Sequence, residues 1–395
     1  MQLTKKQEVF ESLALSGSNI FLTGKAGTGK TFVVKRVIQE LRDRGVNVVV
    51  CAPTGIAASN AGGQTIHSLF SIPVAGIMTY DDCVYVRSEK RRMFNAIETI
   101  VFDEVSMLRP DILDAIHLTM RKNGCGGLDT KQLIFVGDLK QLPSPLSDNA
   151  LSVLFETYTS KEFLAAKILS QVDFDTIDLD EVKRQDDHEF IEALNEVREG
   201  RKSQFFKTLV HTEAHGVVLA PRNSTVNEYN RKGLSKLSGK EYIFRATYDG
   251  KARETDFSLE SEVRVKDGAK IMYLLNSKHN DLRNGTIGVF RAKNDDFFIE
   301  TNNGVQYLIE PVEILKIEYV LNPATDKIEL ITIGSIKQMP IKLAYAMTIH
   351  KSQGLTFDEV TIDLSSPCFQ DGQLYTALSR VTTPKGLRII VGDRV

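Results

Sequence analysis

The sequence predicts an α/β protein with two doubly wound parallel-sheet lobes and a small β-rich domain inserted into the second lobe. Short apolar segments such as residues 46–52 alternate with helical segments, as buried parallel strands do. A second strand of this kind, residues 216–220, opens another α/β unit far along the chain. Between residues 241 and 336 the pattern changes to alternating strands and turns, with an Asn-Gly turn at residues 284–285.

Length and composition indicate a globular protein with more than one domain. The chain has 395 residues, of which 42% are hydrophobic and 25% charged, and this length is too great for one compact core. The formal net charge of −2 gives no overall basic field, although a basic groove can exist on an acidic surface. The chain has no apolar run as long as a membrane span and no secretory signal pattern at its N-terminus. We therefore expect an intracellular protein, cytoplasmic or nucleoid-associated, that binds no membrane.

The first predicted elements surround a phosphate-binding loop. Residues 5–15 read as a short helix, residues 19–23 as a buried strand and residues 32–41 as a helix with one apolar side. Between that strand and the second helix, residues 24–31 match G-x-x-x-x-G-K-T in its required context. Its glycines let backbone N–H groups converge on an anion at a helix N-terminus. The loop residues predicted to bind a nucleoside triphosphate are Gly24, Ala26, Gly27, Thr28, Gly29, Lys30 and Thr31.

Three side chains in and near this loop have distinct predicted roles. Lys30 is expected to reach the outer phosphates, and the Thr31 hydroxyl to bind a magnesium ion. Gln7 precedes the loop by about the distance at which some motors read adenine with a glutamine amide, although a surface residue is the commoner explanation of any one glutamine. The expected cofactors are therefore ATP and Mg²⁺.

Polar side chains follow two further predicted strands. Asp103 and Glu104 come directly after residues 98–102, and Gln141 follows residues 132–136. An aspartate at a strand end can hold magnesium through water, and a neighbouring glutamate can polarise the water that attacks the γ-phosphate. The glutamine can sense whether the γ-phosphate is present. The plainer interpretation is a surface acidic pair and an ordinary turn, but both groups follow a P-loop in the same predicted sheet.

Hydrolysis also needs positive charge on the γ-phosphate in the transition state. The candidates are Arg184 and Arg380, with Arg222 as a weaker third. Taken singly, each arginine is more commonly a solvated surface residue.

The remaining segments differ in how much they indicate. Residues 344–356 combine small and hydroxyl side chains with glycine, which suits close contact with phosphates or sugars, and His350 offers a donor or a stacking face. Residues 71–96 read as irregular, residues 155–207 as mostly helical and residues 387–391 as a closing strand.

Together these motifs resemble the Pif-type (petite integration frequency) family of superfamily 1B DNA helicases, with RecD-like helicases as nearest relatives. The most specific are Gly-Gly-Gln-Thr-Ile-His-Ser, Thr-Ile-His-Lys-Ser-Gln-Gly-Leu-Thr and Ala-Leu-Ser-Arg-Val-Thr. One departure is Lys183, which stands before Arg184 where the family commonly has an aromatic residue. The stretches that carry the resemblance follow the family's order: residues 24–31, 52–58, 62–70, 101–107, 136–143, 182–185, 344–356 and 375–381.

The resemblance implies two RecA-like lobes with ATP between them and an SH3-like β-barrel inserted into the second lobe. It places lobe 1A at residues 1–180 and a wedge-like insertion, 1B, at residues 71–96. Lobe 2A would cover residues 181–240 and 341–395, and barrel 2B residues 241–340. In this family Gln7 lies near adenine, Gln141 senses the γ-phosphate, and Arg184 and Arg380 are arginine fingers. The residues expected to contact single-stranded DNA are Thr54, Gly55, His67, Thr348, His350, Ser352 and Gln353.

The implied activity is that of an ATP-dependent 5′-to-3′ DNA helicase that acts as a monomer on single-stranded and forked duplex DNA. G-quadruplexes and RNA–DNA hybrids stay open as substrates. One alternative is a P-loop ATPase that remodels protein, but that leaves residues 62–70 and 348–356 without a role. A motor directed at RNA is compatible with the motifs. A non-enzymatic ATP-gated clamp is disfavoured because every expected catalytic position is filled.

Overall fold

The computed structural model describes residues 3–74, 76–182, 185, 187–257, 259–277 and 280–392. The chain divides into two compact units. Unit 1 comprises Met1–Arg184 with Ile317–Thr332, and unit 2 comprises Gln185–Lys316 with Ile333–Val395. Residues 317–332, which the sequence places in the inserted domain, thus group with unit 1.

Unit 1 is built on one parallel sheet. Its helices are α1 (Lys5–Leu15), α2 (Lys30–Asp43), α3 (Gly55–Ala61), α4 (Ile66–Phe70), α5 (Ser88–Ala96), α6 (Pro110–Lys122) and α7 (Asp148–Phe155). Its strands are β1 (Ile20–Gly24), β2 (Val48–Ala52), β3 (Gln64–Thr65), β4 (Thr99–Phe102), β5 (Gln132–Val136) and β6 (Asp175–Leu179). The six strands lie in the order β3-β2-β4-β5-β1-β6 with parallel pairings. Strand order thus brings β4, β5 and β1 side by side.

Two apolar layers cover this sheet. Val33, Val37 and Leu41 of α2 are buried in one layer together with strand residues of β1. In the other layer the rings of Phe102 and Phe135 stack with centroids 5.2 Å apart. The apolar stripe predicted for α2 is therefore confirmed except at Phe32, which is 43% exposed. Both faces of the sheet are buried, as the near-continuous apolar strands require.

Two segments of unit 1 differ from the sequence prediction. Residues 175–179, predicted as part of a mostly helical region, form β6, which pairs in parallel with β1 at the sheet edge. Its Asp-Thr-Ile-Asp-Leu sequence is largely exposed, so the strand shows no apolar run. Residues 88–96, predicted as irregular, form α5, which buries only Met93 and Phe94. In both cases tertiary packing of a few side chains overrides a weak local pattern.

Contacts with the backbone of β2 and a side chain of β3 explain why residues 317–332 group with unit 1. The Tyr319 hydroxyl accepts a hydrogen bond from the Val50 N–H at 3.1 Å. The Tyr319 N–H donates to Gln64 Oε1 at 3.1 Å, and Gln64 Nε2 donates to the Ile317 carbonyl at 3.1 Å. Tyr319 is buried in the same apolar layer as Phe102. This segment is therefore anchored by both polar and apolar contacts.

Unit 2 contains a second parallel sheet and an antiparallel region. Its helices are α8 (His188–Arg198), α9 (Asn223–Ser235) and α10 (Gln373–Leu378). The strands from β7 onward are β7 (Val217–Ala220), β8 (Glu241–Arg245), β9 (Thr247–Gly250), β10 (Glu262–Lys266), β11 (Lys270–Tyr273), β12 (Ile287–Lys293), β13 (Asp296–Thr301), β14 (Gln306–Leu308), β15 (Val312–Asn322), β16 (Lys327–Gln338), β17 (Ile341–Leu343), β18 (Ala346–Thr348), β19 (Val360–Leu364) and β20 (Leu387–Val391). The parallel sheet has the order β18-β7-β19-β20.

The antiparallel region confirms the predicted change of pattern near residue 241. A five-stranded sheet has the order β14-β13-β12-β11-β17, and β10 pairs with β8. Both sheets contribute to one apolar core that includes Val265, Ile271 and Phe290. The predicted turn at residues 284–285 precedes β12, and Gly285 has the positive φ of 96° that such a turn needs. The assignment of this region as an SH3-like barrel stays a prediction.

Within the described part of the chain, no helix is long and apolar enough to cross a membrane.

Candidate nucleotide site and nucleic-acid interface

The predicted phosphate-binding loop lies between β1 and α2, where the sequence places it. Gly29 caps α2 with φ at 82°, a left-handed conformation that glycine adopts without steric cost. The loop closes around its own lysine, because Lys30 Nζ donates to the carbonyls of Gly24 at 2.7 Å and Lys25 at 3.0 Å. The ammonium group is thereby held at the helix N-terminus, the position from which it can reach a bound phosphate.

The close approach of β6, a strand that the sequence did not predict, requires glycine at position 24. A Cβ atom at this position would lie 2.5 Å from the backbone oxygen of Leu179, at the end of β6. The first glycine of the loop is therefore needed for close approach of the two strands as well as for the turn.

Gln7 links α1 to the loop. Its Oε1 accepts from the Thr4 N–H at 3.0 Å in a capping box, and its Nε2 donates to the Thr28 carbonyl at 3.2 Å. The side chain is buried beside the loop. The structure thus places Gln7 at the predicted nucleotide site, while its contact with adenine stays a prediction.

The acidic pair follows β4, two strands from the loop-bearing β1 in the sheet. The Glu104 N–H donates to Asp103 Oδ1 at 2.9 Å, and Glu104 adopts a left-handed φ of 53° that is uncommon for a residue with a side chain. Burial, and then the negative charge of Glu104, raise the pKa of Asp103 to about 7, against smaller lowerings by the hydrogen bond from the Glu104 N–H and by the charge of Lys30. A carboxyl with a raised pKa beside a P-loop lysine is the arrangement that phosphate chemistry uses.

These residues fit a magnesium ion by their donor chemistry. Thr31 supplies a hydroxyl and Asp103 a carboxylate, the hard oxygen ligands that Mg²⁺ prefers. A buried carboxylate whose pKa is raised by desolvation is also stabilised in its charged form by a nearby cation. In a bound state the ion would neutralise charge on the phosphates.

Gln141 lies in the loop after β5, the strand between β4 and β1 in the sheet. Its N–H donates to the Asp138 carbonyl at 2.9 Å, and the Asp138 carboxylate accepts from the Lys140 N–H at 3.1 Å. Gln141 is 8% exposed, so the loop holds it in one place. The predicted sensor therefore lies at the same sheet edge as the P-loop and the acids.

The two predicted arginine fingers have different outcomes. Arg184 lies outside the described residues. Arg380 follows α10 and is 2% exposed, with its guanidinium donating to the carbonyl of Thr376 at 2.8 Å, the carbonyl of Leu355 at 3.3 Å and the hydroxyl of Ser379 at 2.8 Å. These contacts hold the side chain in unit 2, and its role in hydrolysis stays a prediction.

The predicted DNA contacts in unit 1 follow β2 and β3. Thr54 caps α3, its hydroxyl accepting from the Ala57 N–H at 3.2 Å, and Gly55 is the first residue of that helix. His67 lies in α4, and its Nδ1 is 3.1 Å from the carbonyls of both Ile72 and Pro73. Since carbonyls only accept, Nδ1 carries the proton and the ring orientation is set.

The predicted DNA contacts in unit 2 follow β18. Thr348 ends the strand, and its hydroxyl accepts from the Lys351 N–H at 3.3 Å. His350 Nε2 donates to Gln370 Oε1 at 2.9 Å. Ser352 is fully buried and donates to the Ile349 carbonyl at 2.7 Å, so in this structure it stabilises the turn instead of presenting a hydroxyl at the surface. Gln353 is half-buried directly after this turn.

The fold and the site define a P-loop ATPase whose phosphate-binding loop, acidic pair and predicted glutamine sensor share one edge of a parallel sheet. Comparison with known proteins narrows the class. Residues 2–207 match the model of the PIF1-like helicase family, and residues 343–383 match that of the UvrD-like helicase C-terminal domain. The first match covers more than half of the chain, which therefore belongs to the PIF1-like helicase family.

Individual relatives agree with this assignment. ATP-dependent DNA helicase Pif1 of Bdellovibrio bacteriovorus is 30% identical over 99% of this chain and 88% of the relative. The crystal structure of Pif1 from Bacteroides sp. in complex with ADP–AlF4 has a TM-score of 0.87 at 32% identity, covering 98% of this chain and 92% of that one. The structure of Bacteroides Pif1 bound to single-stranded DNA has a TM-score of 0.70 at the same identity and coverage. The predicted α/β P-loop fold is thereby confirmed.

Proposed function

The chain is an ATP-dependent DNA helicase, and we propose that it translocates 5′ to 3′ on single-stranded DNA and unwinds forked duplexes. The observation that carries the proposal is the convergence of the P-loop, Asp103–Glu104 and Gln141 after three neighbouring strands of unit 1. The similar Bacteroides protein was crystallised with both a nucleotide analogue and single-stranded DNA. That similarity supports the same pair of ligands for this chain.

Each residue of the nucleotide site has one proposed task. Thr31 and Asp103 hold Mg²⁺, and Lys30 binds the outer phosphates. Glu104 polarises the attacking water, and Gln141 detects the γ-phosphate. Positive charge in the transition state comes from Arg184 and Arg380.

DNA is proposed to be held without reading of its sequence. Thr54, Gly55 and His67 contact the strand from unit 1, while Thr348, His350 and Gln353 contact it from unit 2. Contacts to phosphates release counterions, so affinity falls steeply as salt rises. The active form is proposed to be a monomer, and G-quadruplexes and RNA–DNA hybrids are proposed as further substrates.

The deciding experiment compares unwinding of two forked duplexes that differ only in the polarity of the single-stranded tail. We expect ATP- and Mg²⁺-dependent strand separation with a 5′ tail and stimulation of ATP hydrolysis by single-stranded DNA. Unwinding from a 3′ tail alone would overturn the direction of movement. Stimulation by RNA, with none by DNA, would favour an RNA-directed motor instead.

A further inference from the structure

Three side chains of unit 2 lie where three neighbouring strands of its parallel sheet end. Arg222 follows β7, His350 follows β18 and Phe369 lies in the loop after β19. These strands are adjacent in the order β18-β7-β19-β20 and run in parallel. The carboxyl edge of such a sheet is where α/β proteins bind their ligands. The trio therefore occupies a binding edge of unit 2.

The exposure of Phe369 is the unusual feature of this trio. The residue is 53% exposed although it is large and apolar. The Arg222 guanidinium lies 5.4 Å from the centroid of its ring, within the range of a cation–π interaction. The His350 ring lies 6.4 Å away, inclined by only 26° to the phenyl ring. An aromatic ring is thus supported by two flat polar groups while about half of it faces solvent.

Hydrogen bonds hold the backbone of Phe369 and the ring of His350 in place. The Phe369 N–H donates to Oε1 of the fully buried Gln373 at 3.0 Å. His350 is oriented by Gln370, the residue after Phe369, and its burial lowers its pKa. The imidazole is therefore neutral at neutral pH, and Arg222 supplies the positive charge of the trio. A ring fixed in this way loses little conformational entropy when a ligand stacks on it.

We propose that Phe369 is a base-stacking residue of this helicase and that Arg222 is its cationic partner. One nucleobase of single-stranded DNA stacks on the exposed part of the ring, and the guanidinium contacts a neighbouring phosphate. Every base offers a π-face, so this contact is independent of sequence, as a translocating motor requires. The inference rests on the proposed function and adds two residues to the predicted DNA surface.

The test measures binding of the full chain to two fluorescent oligonucleotides by anisotropy. One is a 16-mer of thymidine, and the other is an abasic strand of the same length, which offers phosphates without bases. We expect Phe369→Ala to weaken binding of the thymidine strand by roughly 5- to 150-fold, the loss typical of one stacked base. Binding of the abasic strand is expected to stay unchanged. Phe369→Tyr should restore the affinity for thymidine.

Arg222→Ala should behave differently, because it removes a phosphate contact as well as ring support. We expect weaker binding of both strands and a salt dependence of log affinity that is shallower by about one unit. Phe155→Ala is the matched control, since Phe155 is 49% exposed on α7 of unit 1 and takes no part in the trio. Melting temperatures of all variants establish that each one folds.

The measurements distinguish a failure of the stacking role of Phe369 from a failure of the proposed helicase function on which that role rests. Normal thymidine binding by Phe369→Ala, or equal loss for both strands, would exclude base stacking while leaving the helicase assignment intact. Failure of the unaltered protein to bind either strand would overturn the proposed function, and the stacking role with it.

Discussion

In unit 1 the loops at the carboxyl edge of the parallel sheet carry a glycine-rich turn and two acids, whereas in unit 2 they carry an arginine, a histidine and an exposed phenylalanine. Asp103 is largely buried and its pKa is raised, while Phe369 is 53% exposed. Both sheets place polar or reactive groups at the same edge because parallel strands all end there. The loops differ in chemistry, which supports the proposals that unit 1 binds phosphate and that unit 2 contacts a strand of nucleic acid.

The largest expected effect is the loss of ATP hydrolysis in Lys30→Ala, which tests whether phosphate chemistry belongs to unit 1. Lys30→Ala removes the ammonium that the loop holds at 2.7 Å from the Gly24 carbonyl. We expect DNA-stimulated ATP hydrolysis, measured by phosphate release, to fall to background while affinity for single-stranded DNA without nucleotide persists. Lys5→Ala, on the exposed side of α1, serves as the control. Retained ATP hydrolysis in Lys30→Ala would contradict the assignment of phosphate chemistry to unit 1.

A smaller loss of kcat is expected from Arg380→Gln, which tests whether unit 2 also contributes to hydrolysis. An arginine finger typically accounts for about a thousandfold in kcat, so kcat should fall by that order while nucleotide binding remains. The side chain is 2% exposed and donates three hydrogen bonds, so a lower melting temperature is also expected.

Because the Arg380 substitution also affects stability, its kcat needs a matched comparison. Arg388→Gln, on β20 of unit 2, is the control for the general loss of a guanidinium. A normal kcat in Arg380→Gln would assign hydrolysis to unit 1 without this residue.

The raised pKa of Asp103 predicts how this residue of unit 1 makes the stability of the protein depend on pH. An acid whose folded pKa is about 7 binds more protons in the folded than in the unfolded state between pH 4 and pH 7. The contribution of Asp103 to the free energy of unfolding of the nucleotide-free protein should therefore decrease as pH rises through this window. Asp103→Asn should reduce that decrease, as measured by urea unfolding at pH 5 and pH 8 without Mg²⁺.

Asp82 supplies a control of opposite sign for the pH experiment. Hydrogen bonds from the hydroxyl and N–H of Thr79 lower its pKa, so its contribution is present above the unfolded pKa and is lost as pH falls. Asp82→Asn should leave the decrease between pH 5 and pH 8 unchanged. An identical pH response in Asp103→Asn and the unaltered protein would mean that the carboxylate is not held in a desolvated site.

Local sequence patterns were enough to predict where the proposed nucleotide-site residues lie relative to the sheet of unit 1. The P-loop, Asp103–Glu104 and Gln141 follow apolar strands whose carboxyl ends must share one edge, and the structure confirms that placement. Strand and helix bounds were predicted well wherever an apolar pattern was strong, as in β5 and β20. In these cases local sequence and global packing agree, because strands of a parallel sheet covered by other elements are rich in apolar residues.

Only the tertiary structure decided the features that depend on contacts between distant segments. Strand β6 carries too few apolar residues to be predicted, yet its pairing with β1 is what requires glycine at position 24. Residues 317–332 group with unit 1 because Tyr319 reaches the backbone of Val50. Arg222 lies more than a hundred residues before His350 and Phe369, and the three side chains meet only because β7, β18 and β19 are neighbours in space. Sequence patterns report burial along one segment, and these features arise from which segments fold against each other.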